Sequence, residues 1–195
     1  MNITIPAISE HEATANKLKQ MEARILGFKT ANFEVLSDEY VYVPYQFYRY
    51  EFKVNRKTLI NKSGKFDKKG FLCIIFDNNE AHPFECDMEE MGKLGIVRLD
   101  PSDTKGKVLK ATCSDEEARK EVEQFIQNKI LRRIYASSGE IKLLEEMPFY
   151  RPAKRLSVKY NNNSRQAVNE RFAYLDAYGV VNEHILGLKV RVGGG

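Results

Sequence analysis

Two segments of this chain open with Ser-x-x-Glu and continue at helical spacing, and nearly everything between and after them has the composition of strand. Ser9 and Glu12 have capping-box spacing, and Leu18, Met21, Ile25 and Phe28 follow at helical intervals, with Gly27 as a stop. That predicts a helix at about 9–26. Ser114 and Glu117 repeat the signal ahead of Ala118, Val122, Phe125, Ile126, Ile130 and Ile134, fading at Ser137-Ser138-Gly139. The second helix is expected at about 114–136. Arg132 and Arg133 in its last turn complement the helix dipole, so their charge has a structural reason before any functional one.

Aromatic and β-branched residues dominate 40–43, 46–54 and 71–76, and shorter strands are expected at 95–99 and 107–112 around the turn residues Asp100-Pro101-Ser102-Asp103. After the second helix, strands are expected at 141–146, 154–160, 171–175 and 186–192. Pro44 cannot donate to a ladder and predicts a bend, a bulge or an edge. The resulting fold class is α+β: two helix-plus-antiparallel-sheet units, 1–113 and 114–195, each a helix followed by strands. Ser9/Glu12 against Ser114/Glu117, Val43-Pro44-Tyr45 against Met147-Pro148-Phe149, and Lys53-Val54-Asn55 against Lys159-Tyr160-Asn161 recur at a nearly constant offset, which leaves an internal duplication open. The same pattern is compatible with one continuous domain.

With 195 residues and 43% hydrophobic content the chain suits a globular protein. No apolar run approaches the roughly 20 residues needed to cross a bilayer, and the first residues have neither a basic region nor a signal-type apolar stretch. The expectation is a cytoplasmic protein with no membrane partner. Cys73, Cys86 and Cys113 are an odd, scattered set without a Cys-x-x-Cys pair, and read as core or near-core thiols. Residues 172–180 resemble the strand, Asp, turn Gly, strand hairpin of PepSY-type domains over a short stretch only; the Asp-to-Gly spacing is shorter, and that family's inhibitory role is not carried over.

Catalytic spacings are missing from the chain. His82, Glu85, Cys86 and Asp87 gather locally without the spacing of a metal site, and adjacent Glu89-Glu90 and Glu145-Glu146 diverge on any regular element. Cys113 precedes a helix whose first turn holds Asp115, Glu116 and Glu117, which oppose thiolate formation. No phosphate loop, nucleophile elbow or calcium loop occurs, so no catalytic residue, metal or cofactor is assigned.

Binding is what remains. The formal charge of +4 is segregated: residues 129–195 carry twelve Lys/Arg against six Asp/Glu, and residues 1–128 carry nineteen against twenty-one. Arg151, Lys154, Arg155, Lys159, Arg165 and Arg171 form a basic run that could meet a partner or phosphates. A second candidate is the aromatic and basic segment holding Tyr48, Arg49, Tyr50 and Lys53; its aromatic parity suits either a helix-covered core or a base-stacking platform. The leading expectation is a non-catalytic interaction protein, acting as a binding, adaptor or regulatory module through a protein partner or self-association. Nucleic-acid binding by the basic C-terminal region is the alternative, and an enzyme whose residues assemble only in three dimensions is the second alternative.

Overall fold

The computed structural model describes residues 1–21, 24–25, 28–29, 32–56, 68–86, 88–130, 136–162 and 165–176. Its elements are β1 (Asn2–Thr4), α1 (Glu10–Met21), β2 (Arg24–Ile25), β3 (Phe28–Lys29), β4 (Asn32–Arg56), β5 (Lys68–Asp77), β6 (His82–Cys86), α2 (Met88–Lys93), β7 (Ile96–Arg98), β8 (Lys107–Val108), α3 (Asp115–Phe125), β9 (Ala136–Asn162) and β10 (Arg165–Tyr174). A 3-10 turn at Pro101–Asp103 and a π-helical turn at Ile126–Ile130 complete them.

These residues are mostly mixed β-sheet, which corrects the expectation of two helix-plus-antiparallel-sheet units. Three findings overturn it. The β1–β9 and β4–β8 pairs are parallel. The segments expected as separate strands fuse into β4, of 25 residues, and β9, of 27 residues. The chain also divides into two compact units made of interleaved segments: Met1–Val43, Lys93–Leu109 and Tyr150–Gly195 in one, Pro44–Gly92 and Lys110–Phe149 in the other. Both long strands therefore contribute to both units. They change unit beside Pro44 and between Pro148 and Pro152, where the ladder loses N–H donors.

In the unit containing Met1–Val43, β9 pairs antiparallel with β10 from Arg165↔Asn162 to Tyr174↔Ala153. It also takes β1 as a parallel neighbour at Ile3↔Tyr150, and β1 pairs with β7. Ser9 Oγ accepts from the Glu12 N–H at 3.2 Å, the cap foreseen for α1. The helix then ends before Arg24 rather than at 26, because Ile25 and Phe28 pair across the β2–β3 hairpin instead of continuing a helical stripe. Ala13 of α1 packs in a core with Leu156, Val158, Ala173 and Leu175, flanked by Ile8, Leu18, Met21 and Tyr40. A Cβ on Gly106 would lie 2.1 Å from the Tyr40 carbonyl oxygen, so only glycine lets the chain enter β8 so close to β4.

The unit containing Pro44–Gly92 orders its strands β6–β5–β4–β9. Ser114 and Glu117 form a complete capping box ahead of α3, with each backbone N–H bound by the other's side chain. Those hydrogen bonds stabilise the carboxylate and hold the Glu117 pKa below its ordinary value. Ala118, Val122 and Ile126 recur every four residues and lie buried on Tyr48, Tyr50, Phe52, Val54, Leu72, Ile74 and Phe76. Even-numbered residues of β4 and β5 thus share the helix-covered face, since Tyr48 stands opposite Ile74 and Tyr50 opposite Leu72. Gly70 opposes Phe52, whose ring would sit 2.8 Å from any Cβ placed there. The strand expected at 186–192 lies outside the described residues.

Candidate functional site

Most described members of the basic run are engaged within their own unit. Arg151 is buried and donates from Nε and Nη2 to Asp176 at 2.7 and 2.8 Å, with its guanidinium 3.8 Å from the Tyr174 ring centroid. Lys154 reaches Glu10 at 3.2 Å and Asp38 at 3.3 Å, and those carboxylates hold its ammonium above the ordinary lysine value against the opposing effect of burial. Arg155 is paired with Glu39 and Glu170. Arg171 donates to the Glu170 carbonyl at 2.9 Å, and Lys159 is half-buried on β9. The Arg165 side chain lies outside the described residues. Glu10, Asp38 and Glu39 come from the first forty residues, so charge counting by segment could not reveal them as partners of this run, whereas Glu170 and Asp176 belong to the same segment as the bases they meet.

The aromatic and basic segment of β4 splits between two faces. Tyr48 and Tyr50 are fully buried beneath α3 and belong to the core. Burial, with Glu146 next in weight for Tyr48 and Glu123 for Tyr50, pushes both hydroxyls above the ordinary tyrosine range and keeps them protonated. Gln46 Nε2 donates to Glu146 at 2.5 Å and Arg119 Nη2 donates to the other Glu146 oxygen at 2.6 Å, which ties α3 to the sheet. Among the described residues the Tyr48 hydroxyl has no hydrogen-bond partner. Replacing Tyr48 by Phe should therefore leave stability unchanged or raise it by about 1 kcal/mol in urea unfolding; a loss of that size would reveal a bonded hydroxyl.

Arg49 and Lys53 point to the opposite face. There the register sets Arg49 against Cys73, Glu51 against Phe71 and Lys53 against Lys69. Phe71 is 58% exposed, and the Arg49 guanidinium lies 4.9 Å from its ring centroid. Lys53 pairs loosely with Glu51 at 3.8 Å. A groove of about 290 Å³ adjoins them, lined by Glu51, Lys53, Glu140, Ile141 and Lys142. Phe71 escaped the sequence reading because the apolar run 71–76 gives no sign of which phenylalanine faces water; only the register with β4 separates Phe71 from Phe76.

Among the described residues no three His, Cys, Asp or Glu side chains converge at metal-binding range, and no helix is long and apolar enough to cross a membrane. His82 stands opposite Asp77 and packs edge-on against Phe84, with ring centroids 4.9 Å apart. Comparison with family models, curated proteins and solved structures finds no match for this chain.

Proposed function

We propose that this is a non-catalytic interaction protein of the cytoplasm that binds a partner protein through the sheet face carrying Arg49, Glu51, Lys53, Lys69 and Phe71. The observation that carries the reading is the exposed Phe71 ring capped by Arg49. An aromatic anchor beside an arginine on a rigid strand is the residue pair from which interface hot spots are built. The charges around it favour an acidic partner, because Arg49, Lys53, Lys69 and the groove residue Lys142 outnumber Glu51 and Glu140. The occupant is accordingly a protein segment with an apolar side chain for Phe71, flanked by carboxylates for the bases.

Nucleic-acid binding through the C-terminal basic run draws less support, since Arg151, Lys154 and Arg155 already meet Asp176, Glu10, Asp38, Glu39 and Glu170. Peptide-library display on the full chain tests the proposal. Selected peptides should be rich in Asp and Glu around an apolar residue and should bind Phe71→Ala at least about tenfold more weakly. Peptides that bind both proteins equally would overturn it. So would tighter, steeply salt-dependent retention of oligothymidylate, which counterion release predicts for a nucleic-acid protein.

A further inference from the structure

Cys73 and Cys86 lie directly opposite each other on the antiparallel strands β5 and β6. Opposed residues of an antiparallel pair project to the same face, and their Cα atoms are about 4.5 or 5.5 Å apart according to the type of pair. Both separations fall within the roughly 4.4–6.8 Å that a disulfide spans. The two side chains are buried, at 6% and 8% exposure, and both are thiols in this structure. Strand β6 has five residues and stands at the end of the strand order, so opening of one short edge strand frees the segment that carries Cys86. Arg49 occupies the position opposite Cys73 on β4, so its side chain leaves the sheet on the same face as the thiol.

We propose that Cys73 and Cys86 are a redox pair that closes into a cross-strand disulfide on reaction with a small disulfide oxidant such as glutathione disulfide. One cysteine thiolate attacks a glutathione sulfur, the S–S bond of the oxidant breaks, and glutathione thiolate leaves. The second cysteine thiolate attacks the protein sulfur of that mixed disulfide and displaces the other glutathione. The protein loses two electrons and two protons; glutathione disulfide takes up both electrons, and the protons end on two glutathione thiols. Cys113 stays outside the exchange. It packs against the α3-covered core, and burial together with Glu117, Asp115 and Glu121 raises its thiol pKa and repels an anionic oxidant. The closed bond joins the ends of the β5–β6 hairpin and holds the edge strand in register.

The test incubates the full chain in glutathione buffers of increasing oxidised fraction until composition is constant, then traps remaining thiols by alkylation and maps peptides by mass spectrometry. The expected product is a peptide linking Cys73 to Cys86, two hydrogens lighter than the dithiol form. Amide exchange at Phe84 and Cys86 should slow by at least about tenfold on oxidation. The Cys113→Ser chain should behave as the wild type, whereas Cys86→Ser should give no intramolecular bridge. Full alkylation of both thiols in the most oxidising buffer, or a bridge to Cys113 in the wild-type chain, overturns the proposal; the wild-type map decides the matter even where a variant fails to fold.

Discussion

Replacing Asp176 by Ala should lower the stability of its unit by about 3–5 kcal/mol, the cost of leaving a buried charge without its counter-ion. Asp176 is fully buried and Arg151 nearly so, at 0% and 4% side-chain exposure. One carboxylate oxygen accepts from Arg151 Nε at 2.7 Å and from the Thr4 hydroxyl at 2.8 Å, and the other accepts from Arg151 Nη2. The pair therefore joins β1, β9 and the residues following β10. Nearby backbone bonds follow the same path, with the Ala7 and Ile8 N–H groups donating to the Leu175 carbonyl and the Leu175 N–H donating to Pro152. Stripped of Asp176, the guanidinium keeps its place over the Tyr174 ring only by losing its hydration uncompensated. Hydrogen exchange at Leu175 is the measurement, because it reports this unit rather than the whole chain. The Arg151→Met, Asp176→Leu double variant should recover much of the loss, since packed apolar side chains replace a buried ion pair at little cost. A loss below 1 kcal/mol in Asp176→Ala would mean that the pair is solvated.

Replacing Phe76 by Ala should cost about 3–5 kcal/mol, the range for removing a fully buried aromatic ring and leaving a cavity. Phe76 has no exposed surface and packs with Tyr48, Ile74 and the α3 residues Ala118, Val122 and Ile126. Phe71→Ala, five residues earlier on the same strand, should change stability by less than about 0.5 kcal/mol, because its ring faces water. The contrast tests the face assignment: equal losses in urea unfolding would place both rings in a core and remove Phe71 as a binding anchor. A near-neutral Phe71→Ala is also what makes that variant a fair probe of the proposed interface.

The helix starts were legible because capping is local. Ser9 with Glu12 and Ser114 with Glu117 satisfy orphan N–H groups three residues away, and both caps occur where that spacing places them. The turn at Asp100 was legible for the same reason, its carboxylate accepting from the Ser102 N–H. The end of α1 was not, since Ile25 and Phe28 satisfy a helical period and a tight hairpin equally well, and only the pairing chooses.

By itself, then, the amino-acid order determined what depends on neighbours a few residues apart: the two caps, the β-rich text between them, the aromatic alternation of Tyr48, Tyr50 and Phe52, and the want of any catalytic spacing. The tertiary structure alone decided what depends on partners 13 to 172 residues away, from Cys73 and Cys86 to Thr4 and Asp176. It turned Arg151 from a surface base into half of a buried ion pair, sent Tyr48 and Tyr50 beneath α3 while leaving Phe71 in water, and set Cys73 against Cys86. The physical reason is that register and long-range charge pairing are properties of two chain segments together, and a single segment carries neither.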